Sequence, residues 1–253
     1  MNIKSVSAFY DNYIWLIINE NDRQVLCVDP GEAEPVLKFL KKEALNLKAI
    51  LLTHHHHDHI GGAAELLQAN PNLDVYGPAD SRIPELTHTL KDGDVLEINF
   101  CKFQILATPG HTSTHISYYE PDHGWLFCGD TLFSAGCGRV FDGTIEELHD
   151  SLQRLKNLPD ATQVFCAHEY TQKNLRFAAR VEPDNLTIRT YAQRLLAKEN
   201  QCSLPSSIGV EKEINPFFRT QAEGVQAFAR LNGSKDSDSL SVFKRIRSEK
   251  DHF

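Results

Sequence analysis

Residues 54–59 read His-His-His-His-Asp-His, directly after the apolar run Ile50-Leu51-Leu52 and before Ile60-Gly61-Gly62. Imidazole is a borderline donor that suits zinc, iron and related ions, and a carboxylate adds a hard anionic one, so the segment is suited to a transition metal. In an extended segment alternate side chains face the same way. That periodicity directs His54, His56 and Asp58 together, lets the following loop turn His59 inward, and sends His55 and His57 elsewhere. An affinity tag is the bland explanation of a histidine run, but this one is internal, is interrupted by Asp58 and continues a core strand. Six consecutive residues cannot close two metal spheres, so further donors are expected at the ends of later strands. His111 follows 102–107, Asp130 follows 125–128 and His168 follows 164–167, each where an apolar run gives way to a loop. The histidines at 88, 123, 149 and 252 have no such setting.

The elements that must position these donors are legible from apolar runs and turn residues. Short runs rich in Val, Ile and aromatics predict strands at 13–18, 25–28 (closed by Asp29-Pro30-Gly31), 49–52, 73–76, 95–98, 102–107, 115–119 and 125–128. Helices are expected from Glu34 to Leu45 and after Gly61-Gly62, which makes the opening mixed α/β, with antiparallel pairs among the later strands. Thr144-Ile145-Glu146-Glu147 fits a capping box, followed at helical spacing by Leu148, Leu152 and Leu155. Beyond Val164-Phe165-Cys166-Ala167 the pattern is helical over 171–200 and 220–231, with a second capping-box pattern at Thr220 and an apolar recurrence at Leu240, Phe243 and Ile246. A boundary is placed near 168–172, giving a first domain of 1–170 and a mainly helical second domain of 171–253.

Composition excludes several classes. The chain has 253 residues and a net charge of −8, which disfavours general attraction to nucleic acid or to an anionic membrane. The apolar stretch 13–18 is far shorter than the roughly 20 residues that span a bilayer. Six cysteines without CxxC spacing fit a reduced, cytoplasmic protein. No sequence feature demands a protein partner, and a monomer is the simplest assembly.

His54-x-His56-x-Asp58-His59 with His111, Asp130 and His168 resembles the metallo-β-lactamase superfamily over residues 1–170. Thr53 through Gly62, Cys128-Gly129-Asp130-Thr131-Leu132-Phe133, Gly136-Cys137-Gly138-Arg139, Ala167-His168-Glu169-Tyr170-Thr171, Asn215-Pro216-Phe217-x-Arg219 and Arg247-x-x-Lys250-Asp251-x-Phe253 resemble the glyoxalase II, or hydroxyacylglutathione hydrolase, family within it. The resemblance implies an α/β fold, the four-layer αβ/βα sandwich of that superfamily, with a small C-terminal helical domain. It implies that His54, His56 and His111 hold one divalent metal, that Asp58, His59 and His168 hold a second, and that Asp130 bridges them. Zinc is taken by default, with iron and manganese as the other candidates. Hydroxide bound at the binuclear centre would then attack a glutathione thioester, S-D-lactoylglutathione above all, releasing glutathione and D-lactate, as in methylglyoxal degradation. Asp58 would also accept a hydrogen bond from that hydroxide. Glutathione is anionic, and the resemblance places Arg247 and Lys250 on its glycine carboxylate, with Arg139 and Tyr170 nearer the peptide. A solvated basic helix end complementing the macrodipole is the structural alternative for 244–250.

Three positions depart from the family's usual residues: Arg139 where Lys is frequent, Phe141 where some members carry Tyr, and Thr114 where Gly is common. Two other functions fit the same donors. A mononuclear iron glutathione persulfide dioxygenase shares much of the set, and the C-terminal segment with Arg247 and Lys250 argues against it. A metal-buffering protein would need only residues 54–59, and the separated donors argue against that.

Overall fold

A computed structural model of the chain describes residues 1–98, 100–196 and 202–253. The chain divides into two units, one formed by 1–107 with 114–129 and the other by 108–113 with 130–253.

In the first unit the N-terminal strands β1 (Asn2–Ala8), β2 (Asn12–Asn19) and β3 (Gln24–Val28) form an antiparallel meander. Helix α1 (Ala33–Glu43) crosses to β4 (Asn46–Leu51), which joins β3 in parallel. After α2 (His57–Ile60) and α3 (Ala63–Ala69), strands β5 (Asp74–Pro78) and β6 (His88–Leu90) extend the parallel half, so the sheet order is β1-β2-β3-β4-β5-β6. Strands that are apolar on both faces, such as Ile14 to Ile18 and Ala49 to Leu52, are buried throughout, as a covered sheet requires. One face packs Ile14, Leu16, Ile18, Val25 and Cys27 against Val36, Leu40 and Leu66 of the helices.

Strands β7 (Val95–Ile98), β8 (Cys101–Ala107), β9 (Ile116–Glu120) and β10 (Trp125–Gly129) then pair antiparallel in chain order. Tyr118 of β9 is fully buried and its hydroxyl lies 2.8 Å from the carbonyl oxygen of Leu52 and 3.2 Å from that of Tyr76, a polar link to the first sheet.

In the second unit β11 (Leu132–Phe133) and β12 (Gly136–Cys137) make a tight hairpin. Helix α4 (Ile145–Lys156) begins with the expected capping box: Glu147 N donates to Thr144 Oγ1 at 3.1 Å, and the Glu147 carboxylate accepts from Thr144 N at 2.8 Å. Strand β13 (Gln163–Cys166) pairs with β14 (Ser206–Ser207). Helices α5 (Thr171–Val181), α6 (Leu186–Leu196), α7 (Ile208–Ile214), α8 (Glu223–Leu231) and α9 (Ser239–Asp251) complete the unit. Leu175, Ala178, Ile188, Tyr191 and Ile214 form the core between α5, α6 and α7.

The helical pattern of 171–200 is realised as two helices with 182–185 between them, and its last residues, 197–200, lie outside the described residues. One expectation is corrected. The capping box expected at Thr220 does not form. Helix α8 starts two residues later, with Ala222 as its N-cap and no side-chain cap, because Thr220 Oγ1 is bonded instead to Ser239 Oγ at 2.7 Å. No helix among the described residues is long and apolar enough to cross a membrane.

Candidate metal centre

In the first unit β4 delivers the histidine run. Leu52 N donates to Tyr76 O at 2.8 Å and Ile116 N donates to Thr53 O at 3.0 Å, so the backbone is fixed up to the first donor. The extended geometry continues to His56, whose φ and ψ are −62° and 143°, and there it ends. Residues 57–60 turn into α2, where His59 N and Gly61 N donate to His56 O and His57 O at 2.9 and 2.7 Å. The strict alternation expected through Asp58 is thereby corrected: a helical turn, not a strand, presents Asp58 and buries His59.

The residue that organises this cluster is Asp29, which in the sequence reads only as the end of a strand. Its carboxylate is buried and accepts from Thr53 N at 2.8 Å and Thr53 Oγ1 at 2.7 Å, and its Oδ2 lies 3.0 Å from His59 Nδ1. Since the Thr53 hydroxyl proton points to Asp29, its oxygen accepts from His54 Nδ1, 3.0 Å away. Both imidazoles therefore carry their proton on Nδ1 and present the Nε2 lone pair, an arrangement in which partners behind a histidine fix its tautomer and direction. Asn12 plays the same part for Asp58, donating from Nδ2 to Oδ2 at 2.9 Å. His115 stacks on His54 at 4.9 Å between centroids, so it supports the ring from behind. Gly129, at φ 45°, leaves room for this arrangement: a Cβ there would stand 2.4 Å from Thr53 Oγ1 and 2.7 Å from His115 Nε2.

Neither His55 nor His57 joins the donors. His55 Nδ1 faces Asp80 Oδ2 at 3.5 Å, and His57 is exposed. Thr114 donates to the same Asp80 oxygen at 2.6 Å, which gives the departure from glycine at that position a structural function. Arg82 also binds Asp80, at 2.8 and 2.7 Å, and holds its carboxyl far below the usual range.

In the second unit Asp130 stands between two imidazoles, with Oδ2 3.6 Å from His111 Nε2 and Oδ1 3.3 Å from His168 Nε2. His111 Nδ1 donates to the Arg139 carbonyl oxygen at 2.8 Å, so its Nε2 also presents a lone pair. Gly138 packs against the same turn, where a Cβ would stand 2.0 Å from the Asp130 carbonyl oxygen. His168 stacks on Tyr170, with centroids 4.7 Å apart and planes 7° apart, and Phe133 meets both rings edge-on.

The geometry passes a simple test for a cation. A nitrogen lone pair and a carboxylate oxygen 3.5–3.6 Å apart, as at His59–Asp58 and His111–Asp130, repel one another and are spaced beyond a good hydrogen bond, and His168 Nε2 stands 3.3 Å from Asp130 Oδ1. Two ligands of one tetrahedral ion, bonded at 2.0–2.1 Å, lie about 3.3 Å apart. His54 Nε2 and His56 Nδ1, 3.1 Å apart, fit the same spacing.

The expected substrate residues all belong to the second unit. Arg247 is buried, with Nη1 donating to Cys137 O at 3.0 Å and Nη2 to Asp251 Oδ1 at 3.0 Å. Arg139 is mostly exposed and reaches the same Asp251 oxygen at 3.5 Å. Lys250 Nζ lies 5.1 Å from the ring centres of both Phe177 and Phe253, and burial pulls its pKa down to about 8. Of the remaining basic residues, Lys244 pairs with Glu146 and Arg245 faces Glu249. Phe141, largely exposed, meets His111 edge-on, with ring centroids 5.1 Å apart.

Residues 9–168 match the metallo-beta-lactamase superfamily, and residues 169–253 match the hydroxyacylglutathione hydrolase C-terminus. A hydroxyacylglutathione hydrolase of Legionella pneumophila is 55% identical over the whole of both chains. The chain belongs to the hydroxyacylglutathione hydrolase family. Another member, from Vibrio cholerae, is 51% identical, again over the whole of both chains. Among solved structures, that of ETHE1 from Myxococcus xanthus superposes with a TM-score of 0.66 at 27% identity, covering 99% of this chain and all of the other. As a hydroxyacylglutathione hydrolase family member, the chain has the metallo-β-lactamase fold class with mixed sheets, helices and a C-terminal helical region, and its imidazole and carboxylate donors are those of a divalent-metal enzyme.

Proposed function

We propose that the chain hydrolyses S-(2-hydroxyacyl)glutathione thioesters, S-D-lactoylglutathione above all, to glutathione and a D-2-hydroxy acid. The observation that carries this reading is full-length identity of 55% to a hydroxyacylglutathione hydrolase, together with the match of residues 169–253 to the hydroxyacylglutathione hydrolase C-terminus. In this reading His54, His56 and His111 hold one divalent ion, Asp58, His59 and His168 hold the second, and Asp130 is common to both. Spacings within each unit support the assignment: His54 Nε2 stands 3.1 Å from His56 Nδ1 and His59 Nε2 3.5 Å from Asp58 Oδ2 in the first, and Asp130 lies 3.6 and 3.3 Å from His111 and His168 in the second. Zinc is the default ion, and iron and manganese suit the same donors.

When bound by these residues, two such ions would lower the pKa of a water from 15.7 to roughly 7 and would supply positive charge for a thioester oxyanion. The chain's own residues supply orientation. Asp29, acting directly on His59 and through Thr53 on His54, keeps those rings in one tautomer and one direction. Asn12 fixes the Asp58 carboxylate, the group assigned a hydrogen bond to the nucleophile. No cysteine acts as nucleophile in this scheme, and burial pushes the Cys137 thiol up to about 11, far from a thiolate. Lys250, together with Arg247, supplies positive charge for the glycine carboxylate of glutathione, and Arg139 and Tyr170, the latter stacked on His168, stand nearer the peptide. Arg247 adds its charge from a buried position.

Residues 1–170 form the catalytic domain and 171–253 the substrate-binding domain in this proposal. A monomer in the cytoplasm completes it, supported by six free cysteines, five of them buried. The test is loss of S-D-lactoylglutathione thioester by purified protein, with metal analysis and a chelator-treated control. Chelator-sensitive hydrolysis is expected. A folded, fully metallated protein that leaves the thioester intact overturns the substrate, and dioxygen uptake with glutathione persulfide would move the reaction to the persulfide dioxygenase.

A further inference from the structure

The hairpin from Asp130 to Arg139 carries a donor carboxylate at one end and, at the other, the carbonyl that orients His111. Its tip is Ala135, at φ 56°. A non-glycine residue in the left-handed region is strained and persists where its surroundings over-determine it. Here the surroundings are buried side chains from α7 and α5. Glu211 Oε2 accepts from Ala135 N at 2.7 Å and from Asn215 Nδ2 at 3.0 Å, and its Oε1 accepts from the Ser206 hydroxyl. Asn215 Nδ2 also reaches Phe133 O at 3.2 Å and Gly136 O at 2.9 Å, and Asn174 Nδ2 donates to Ser134 O at 3.0 Å. The backbone of the tip, 133 to 136, is thus held at each residue by a buried polar side chain.

Glu211 and Asn215 are both fully buried. Burial raises the Glu211 pKa, and its hydrogen-bond donors work against that rise. A buried carboxylate is costly, and an apolar residue of similar volume often serves stability as well or better, so stability alone does not account for it. We propose that Glu211, with Asn215, is a positioning residue for the metal. It fixes the Ala135 tip and so the separation of Asp130 from Arg139, which decides where the Asp130 carboxylate and the His111 ring point. Phe133, on the same hairpin, carries the constraint to His168 through their edge contact. This inference rests on the assignment of His111, Asp130 and His168 as metal ligands.

The experiment compares E211Q, E211L and N215A with the unaltered protein by zinc competition against a chromophoric chelator, by kcat and KM for S-D-lactoylglutathione, and by thermal melting, at a temperature where circular dichroism shows each variant folded. E211Q keeps a carbonyl acceptor for Ala135 N and Asn215, and the Ser206 hydroxyl can turn to accept from the new amide, so its zinc affinity is expected within about 3-fold of the unaltered protein. E211L and N215A free the tip and are expected to bind zinc roughly 10–100-fold more weakly, the usual cost of losing a partner behind a ligand, with lower kcat and unchanged KM. If E211L fails to fold, N215A decides. Variants that melt earlier but, when folded, bind zinc and turn over like the unaltered protein overturn the proposal, as does an E211Q as weak as E211L. An unaltered protein that binds no zinc overturns the ligand assignment instead.

Discussion

The two donor clusters are built by opposite means. In the first unit four of the proposed donors come from six consecutive residues at the end of one parallel strand, and a single buried side chain, Asp29, orients two of them. In the second unit three donors come from three separate segments, and main-chain groups do the orienting: a carbonyl behind His111, and a hairpin whose own backbone is clamped by Glu211 and Asn215. A contiguous cluster needs a short chain of side-chain bonds to aim it. A dispersed one needs the fold itself to hold distances, and its supports lie correspondingly far from the donors.

Removing Asp130, the donor between His111 and His168, should have the largest effect and strike the dispersed cluster directly. Asp130→Ala is expected to bind fewer than two metal ions per chain and to lose more than about 100-fold in turnover, beyond the 10–100-fold typical of a partner behind a ligand. Metal analysis and thioester kinetics check this, and an active variant with both ions retained would break the assignment. The contiguous cluster is probed next by Asp29→Ala. Its expected loss in metal affinity is about 10–100-fold, and it should fall on ions held by His54 and His59, read out by chelator competition. Equal losses for Asp29→Ala and N215A would show that side-chain and main-chain supports are equivalent in strength. An unaffected Asp29→Ala would show that the contiguous cluster needs no support at all.

Lys250 sharpens the comparison by separating substrate from metal. With its ammonium at about 8, charge is lost as pH rises from 7 to 9, so KM for the anionic thioester should rise several-fold over that range while kcat holds, and Lys250→Met should flatten the profile. The sign for stability is the opposite. The unfolded chain keeps the Lys250 proton up to about 10.4, so between pH 8 and that value it binds more protons than the folded chain and folding stability rises with pH. Urea unfolding of both proteins at pH 7 and 9 checks this second effect. The smallest change is Thr144→Ala, which breaks a cap local to Glu147 at the start of α4: about 1 kcal/mol of stability should go, with metal affinity unaltered.

The same contrast governs what could be read in advance. Residues 54–59 were legible because contiguity places their chemistry in one window, and α4 because Thr144 and Glu147 satisfy each other's backbone locally. Asp29 was hidden inside an Asp-Pro-Gly turn: its bonds to Thr53 and His59 span 24 and 30 residues and exist only once β3 and β4 pair. Asn12, just ahead of the strand expected at 13–18, carried no signal for the same reason: its bond to Asp58 spans 46 residues. Glu211 carried no signal beyond a polar residue in a helical stretch, although full burial of an acid is the mark that a structure supplies at once. The capping pattern at Thr220 misled because a tertiary bond to Ser239 outcompeted the local one. Alternation through Asp58 misled because the chain turns helical at His57.

Arg247 reaches the hairpin through the carbonyl oxygens of Cys137 and Gly138, at 3.0 and 3.4 Å, groups that every amino acid possesses. The latch between the last helix and that strand is therefore largely blind to side-chain identity. At position 137 the side chain adds only the buried Cys137 sulfur, 3.5 Å from the same guanidinium nitrogen, whereas position 138, pressed against the Asp130 carbonyl, is frozen at glycine.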